Sequence, residues 1–235
     1  MKRPIAILGA GNMASALALN LARHGRPVRL YCIEADVEED IRRNRSNTKY
    51  LAGHRFPKNV TATNDLAAVV DGTDVVFIAV PSFAVNEVII EALPHLVKNA
   101  IIASVSKGLD PKTLEPLIVP MSRLLPPVLR HRVCTIGGPA IAVEMAKGSP
   151  TGMVVASKDR TAAQTIRRLL ENTTVKAATS SDVHGVGLAS ALITLNRLAF
   201  GREVRDRPKR AGQRAHPAPD AAFGIDLDDL RPVVS

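Results

Sequence analysis

The chain has no tryptophan, two tyrosines and five phenylalanines in 235 residues, so aromatics make up only 3%. A core of this protein must therefore be built from Ala, Val, Ile and Leu. The interleaved aromatics and basic residues that mark a single-stranded nucleic-acid platform are missing. Two cysteines, Cys32 and Cys134, each lie in or beside an apolar stretch. That is too few for a disulfide scaffold, and both read as buried small hydrophobes. No His or Cys spacing matches a zinc site, so no metal is expected. No apolar run reaches the length of a membrane span. The start, Met1-Lys2-Arg3 followed by apolar residues, mimics a secretory signal, but Gly9, Gly11 and Asn12 break the run. A cytoplasmic location is expected.

What the chain does have is a hydrophobic content of 46% and a net charge of +9. That is ample for one large α/β domain, or for one domain with part of a second. Much of the basic charge falls between Arg197 and Arg214. Such charge attracts phosphorylated metabolites, anionic membranes or nucleic acid. Basic runs are most often simply solvated, and nucleic acid is the weaker expectation.

The most informative stretch is the first strand, turn and helix. Pro4 to Leu8 is apolar, as a buried parallel strand requires. Gly9-Ala10-Gly11-Asn12-Met13-Ala14 follows, then an apolar helix from Ser15 to His24 and a second strand from Val28 to Ile33, ending at Glu34. This is the order of a dinucleotide-binding turn. Gly9 allows the tight turn, Gly11 lets the backbone approach a pyrophosphate, and Ala14 is small enough for the helix to pack on the strand. The helix N-terminus then faces the phosphates. Glu34 stands where a carboxylate accepts hydrogen bonds from both ribose hydroxyls. An acid at this point and the apolar Ile33 beside it favour NAD over NADP. Arg42 and Arg43 weaken that preference by attracting an extra phosphate.

Further strands are expected at 60–63, 74–80, 100–105, 132–136, 151–156 and 175–179. Helices are expected at about 35–45, up to 70 from a cap at Asn64 or Asp65, 83–96 with Pro94 kinking or ending it, 111–125 interrupted at Pro120, 143–146 and 162–171. Asn47 to Pro57 reads as a loop. Strands alternating with helices argue for a Rossmann-like, doubly wound, mostly parallel sheet, whose ligands bind beyond the carboxyl ends of the strands. Glu34, Pro81, Lys107 and Gly138 all follow strands and can face one crevice. The expected organisation is a dinucleotide-binding domain over residues 1–182. A helix at 183–200, capped by Asp182, follows as the remnant of a substrate domain, and then a basic, Pro-rich tail at 201–235 that reads as disordered.

Several separate stretches resemble the soluble NAD(P)-dependent glycerol-3-phosphate dehydrogenases. They are Gly9 to Leu17, Tyr50-Leu51-Ala52-Gly53 with Phe56-Pro57, Ala79-Val80-Pro81-Ser82, Ser106-Lys107-Gly108-Leu109, Gly138-Pro139 with Ala142 and Glu144, Gly148 to Thr151, and Asp182 to Val186. Together they span residues 4 to about 192. The resemblance implies hydride transfer between NAD(P)H and dihydroxyacetone phosphate, a small phosphorylated substrate. It implies that Asn12, Met13 and Ala142 lie beside the cofactor, that Gly138 and Ala140 touch substrate, and that Lys107 lies near both nicotinamide and substrate. An ammonium there stabilises negative charge developing on a carbonyl oxygen. Taken alone, Lys107 reads as a solvated strand-end lysine.

Departures from the family pattern are equally specific. Met13, Ala14 and Ala140 replace its usual aromatic, glycine and Ser/Thr. Where the family carries a Lys-Asn pair whose lysine is the general acid/base, this sequence has Ile193-Thr194. The helical domain that should follow has no counterpart in residues 193–235, a change of character that an altered reading frame would produce. The homodimer that the family allows is not implied without that domain. Two other readings stay open: a non-catalytic NAD-binding fragment or basic-tailed interaction protein, and a related dehydrogenase of another small hydroxy or keto compound.

Overall fold

The first strand sets the plan of the molecule. In the computed structural model, which describes residues 3–192, β1 (Ile5–Leu8) is buried on both faces. Ile5 and Ile7 join one apolar cluster and Ala6 and Leu8 the other. A strand apolar at every position needs cover on both sides. Helices supply it: α1 (Asn12–Arg23) lies on the first face, with α4 (Leu66–Val70) and α5 (Val85–Ala92) on the second.

The described strands form one sheet. After β1 come β2 (Val28–Tyr31), β3 (Val60–Thr63), β4 (Val75–Ile78), β5 (Ile101–Ser104), β6 (Val133–Gly137), β7 (Thr151–Ser157) and β8 (Val175–Ser180). Their order across the sheet is β3-β2-β1-β4-β5-β6-β7-β8. The first six are parallel, β7 runs antiparallel to β6, and β8 is parallel to β7. This is the doubly wound, mostly parallel sheet expected, with the strand order reversing between β1 and β4. Such a reversal opens a crevice at the carboxyl ends of the strands.

Two elements differ from the sequence reading. The stretch 47–57 is not all loop: α3 (Thr48–Leu51) forms because the Asn47 side chain accepts the Tyr50 amide and caps it. The helix expected from 111 begins only at Ile118, as α6 (Ile118–Leu124). The buried Asp110 carboxylate takes the amides of Lys112 and Thr113 into a turn, and Leu114 adopts a left-handed conformation at φ 56. Pro120 does not interrupt α6. It is the helix's third residue, where an N–H would have no intrahelical acceptor anyway. Pro94, in contrast, ends its helix as expected, which tightens into a 3-10 turn at Leu93–His95. Smaller shifts put the start of α1 at Asn12 rather than Ser15, and α2 at Ala35–Asn44.

After the short α7 (Pro127–Arg130), the sheet is completed by α8 (Ala142–Lys147) and α9 (Arg160–Glu171), the last two on the face that carries α1. Asn20 of α1 donates to the Met145 carbonyl at 2.8 Å, and Arg23 to Ala146 at 2.7 Å. Residues 183–192 are helical, and Asp182 caps them by accepting the Gly185 amide at 2.8 Å. This helix crosses close over the end of β6. A Cβ added at Gly137 would collide with Ser190 and would approach a Val186 methyl to 2.9 Å. The expected extension to residue 200, the tail at 201–235 and Ile193 itself lie outside the described residues.

Candidate functional site

The turn after β1 is shaped by what stands behind it. Gly9 has φ +120, and a Cβ there would lie 2.6 Å from the Ala79 carbonyl oxygen at the end of β4. Only glycine lets the two strand ends come this close. Gly11 is different: its φ is −69 and nothing lies within 4 Å of a Cβ built on it. That open space fronts the N-terminus of α1, which has no side-chain cap and no acidic residue in its first turn. A twelve-residue helix beginning so leaves its amides and partial positive charge to a ligand. Asn12 is exposed at its first position, Met13 is half-buried, and Ala14 is fully buried where the helix meets the sheet. The glycine-to-alanine departure at Ala14 is thereby accommodated.

Behind the turn sits Asn47, a residue the sequence reading assigned to a loop. It is 1% exposed. Its Nδ2 donates to the Ala10 carbonyl at 2.7 Å and to Ser15 Oγ at 2.9 Å, and Ser15 Oγ itself reaches the Ala10 carbonyl at 3.1 Å. The turn is therefore held from the side opposite its open face. An Asn immediately before a helical segment is the sequence signal of a cap such as Asn47 makes on α3.

Glu34 follows β2 and leads into α2. Its Oε1 accepts the Tyr50 hydroxyl at 2.7 Å, and its Oε2 accepts the Lys49 ammonium. The Lys49 ammonium and then the Tyr50 hydroxyl hold the carboxyl below the usual carboxylate range. In turn, Lys49 and Tyr50 are both raised, chiefly by bonding to Glu34. Lys49 and Tyr50 belong to α3, so the same short helix that braces the turn also orients the acid.

Next to the Gly9 turn, the loops after β4, β5 and β6 converge. Ser106 Oγ donates to the Val80 carbonyl at 2.6 Å. Gly108, at φ +108, lies against Ser82. Lys107 is half-buried, and its Nζ donates to the Gly138 carbonyl at 3.3 Å across the ends of β5 and β6. Asp110 anchors this loop. Burial opposes its charge, yet the amides of Thr113 and Lys112 and the Asn86 side chain outweigh that and hold it below the usual range. Gly138 has φ +149 and its Cβ would meet the Gly152 carbonyl at 2.6 Å. Ala140 is 4% exposed, so the residue is covered by its surroundings. Ala142 opens α8, half-buried over the same apolar cluster as Met13.

The structure thus brings the Gly9–Ala14 turn, Pro81, Lys107 and Gly138 to the carboxyl ends of neighbouring strands, with Glu34 beside them at the end of β2. Among the described residues no group of three or more His, Cys, Asp or Glu is arranged to hold a metal, and no helix is long and apolar enough to cross a membrane. Cys32 and Cys134 are buried and unpaired, and burial pushes the Cys134 thiol up to about 12.

Comparison with known proteins agrees with this geometry. Residues 4–163 match the family described as NAD-dependent glycerol-3-phosphate dehydrogenase N-terminus. The glycerol-3-phosphate dehydrogenase [NAD(P)+] of Syntrophotalea carbinolica is 33% identical over 197 residues, covering 84% of this chain and 59% of its own. That of Bacillus velezensis is 33% identical over 199 residues, covering 85% and 58%. The crystal structure of the Coxiella burnetii enzyme superposes with a TM-score of 0.74 at 34% identity, over 80% of this chain and 57% of that one. The chain spans just under three-fifths of the length of the curated relatives it matches. It belongs to the NAD-dependent glycerol-3-phosphate dehydrogenase family.

Proposed function

We propose that the crevice binds NAD(H), with Gly9, Gly11, Asn12, Met13 and Ala14 at the pyrophosphate, Glu34 at the adenosine ribose, and Lys107 and Ala142 toward the nicotinamide. One observation carries this reading: a glycine turn with open space at Gly11 leads into an uncapped twelve-residue helix, with an oriented carboxylate one strand away. The residues present fit the group. Their fit for NAD rests on Glu34, since a carboxylate accepts from two ribose hydroxyls and repels a 2′-phosphate.

The substrate side is proposed to take dihydroxyacetone phosphate or sn-glycerol 3-phosphate at Lys107, Gly138 and the backbone of Ala140. Bound in the crevice, the reduced dinucleotide supplies a hydride. Lys107 supplies a positive charge at the carbonyl oxygen that gains electron density, one of the larger single contributions a site can make. The ammonium bonds the Gly138 carbonyl, which puts it on the substrate side of the crevice in this reading. The proton that the reduced oxygen then needs is the weak point. Ile193 stands where the family's sequence pattern carries its acid/base lysine, and a positioned acid is typically worth about a hundred- to ten-thousandfold. Strong cofactor binding with poor turnover is the expected behaviour of this chain.

The test is to titrate the purified chain with NADH by nicotinamide fluorescence and to follow NADH oxidation with dihydroxyacetone phosphate. Saturable binding with a rate far below a full-length family enzyme is expected. Absence of binding would remove the proposal, and a comparable kcat/KM would show that another residue handles the proton.

A further inference from the structure

Lys49 stands out among the groups around the ribose position, because it is a cation between two carboxylates. Its Nζ bonds to Glu34 Oε2 and reaches Asp36 Oδ2 at 3.3 Å, and it lies 5.6 Å from the centre of the Tyr50 ring. The Lys49 side chain is 39% exposed, Glu34 34% and Asp36 68%. The two arginines of α2 pair instead with Glu39, Arg43 at 2.7 Å and Arg42 at 4.0 Å. Ile33 is 78% exposed and uncharged.

From this arrangement we infer that Lys49 sets the balance between NAD(H) and NADP(H). The inference rests on the dinucleotide reading of the site. Glu34, Asp36 and Lys49 carry a net charge of −1 together, which disfavours a 2′-phosphate without forbidding it. The phosphate brings about −1.5 to −2 charges and three acceptor oxygens. It can enter only if the Lys49 ammonium leaves Glu34 for it. An exposed Lys–carboxylate pair is weak and screened, so that exchange costs little, and a charge-assisted bond to phosphate replaces the one lost. Tyr50, whose hydroxyl donates to Glu34 Oε1, keeps the acid in place for a ribose when no phosphate is there. Lys49 therefore makes the site permissive for NADPH, while Glu34 makes it prefer NADH.

The experiment measures dissociation constants for NADH and NADPH on the whole chain and on three variants. Lys49→Ala should weaken NADPH about tenfold or more, the loss of one charge-assisted bond, and change NADH less than about threefold by the same reasoning. Lys49→Arg should keep the wild-type ratio. Glu34→Gln should move the ratio toward NADPH. The separation should shrink as salt rises. A NADPH/NADH ratio for Lys49→Ala within twofold of wild type would overturn the inference while leaving the dinucleotide site standing. If the wild-type chain binds neither cofactor, the dinucleotide reading fails and the inference fails with it.

Discussion

The two sides of the crevice are built differently. On the β1–β2 side, side chains do the bracing: Asn47 holds the Gly9 turn from behind, and Lys49 and Tyr50 hold Glu34. On the β5–β6 side, the close approaches are largely to backbone. Lys107 points at a carbonyl, Gly138 abuts another, and Ala140 is buried. The first side is braced by side chains within the first fifty positions, with the Ala79 carbonyl behind Gly9. The second presents a charge and a wall. A pyrophosphate site can be complete within one βαβ unit.

The sharpest way to break this contrast is at the turn itself. Gly9→Ala puts a methyl against the Ala79 oxygen in a left-handed conformation, and should destabilise the fold by about 2–4 kcal/mol. Gly11→Ala meets open space at φ −69. It should leave the melting temperature within a degree or two, by the same reasoning, yet weaken NADH about tenfold or more as the methyl blocks the phosphate. Thermal melts and NADH titrations of the pair separate the glycine needed for the fold from the glycine needed for the ligand. If both variants melt like wild type, the close approach of the β1 and β4 ends is not what fixes Gly9.

On the other side, Lys107→Ala should reduce whatever turnover the chain has by about a hundredfold, with NADH affinity and melting temperature little changed. Equal loss of NADH binding would show that Lys107 belongs to the cofactor half. Asn47→Ala makes the opposite test. It removes the bonds to the Ala10 carbonyl and the Ser15 hydroxyl, which keep only each other, and uncaps α3, at about 1–3 kcal/mol, and should weaken NADH while leaving the Lys107 loop intact. Hydrogen exchange at the amides of residues 9–15 against those of 106–110 would read this directly.

The parts of this arrangement legible in the sequence are those written locally. An apolar run, a glycine turn, a small-residue helix and an acid occur in order within 31 residues, from Pro4 to Glu34, and each dictates its own conformation. The mostly parallel sheet and a crevice at the carboxyl ends of its strands follow from their alternation with helices; the place of each strand in the sheet does not. What was not legible depends on which polar groups the fold buries or brings together. Asn47 looks like any turn residue until Ala10 and Ser15, 37 and 32 positions away, are brought to it. The delayed start of α6 depends on a carboxylate, Asp110, being buried where its neighbours' amides are its best partners. The dual partnership of Lys49 depends on α3 existing at all. Propensity alone gives no warning in these cases, because the deciding energy is the satisfaction of a buried or crowded polar group.

The smallest effect in this series concerns the anchor of α3. Asp40 accepts the Thr48 amide at 2.8 Å, the Asn44 side chain at 2.9 Å and Ser46 Oγ at 2.8 Å. The Thr48 amide above all lowers its pKa from 3.8 to about 2. A carboxyl whose folded value lies below its unfolded one adds stability that is full above the unfolded value and disappears as pH falls through the folded one. Asp40→Asn replaces one acceptor oxygen with a donor that faces another donor. Because the group is largely in solvent, the loss should be no more than about 1 kcal/mol. The difference in melting temperature between Asp40→Asn and wild type should be greatest above about pH 5 and should close between pH 4 and 2, as the wild-type carboxylate takes up its proton. NADH affinity should fall slightly in the same variant, since α3 carries both Lys49 and the Asn47 cap. A melting difference that persists unchanged at pH 2 would mean that Asn is disfavoured at this position for a reason other than charge, and that the ordering of α3 does not depend on an ionised Asp40.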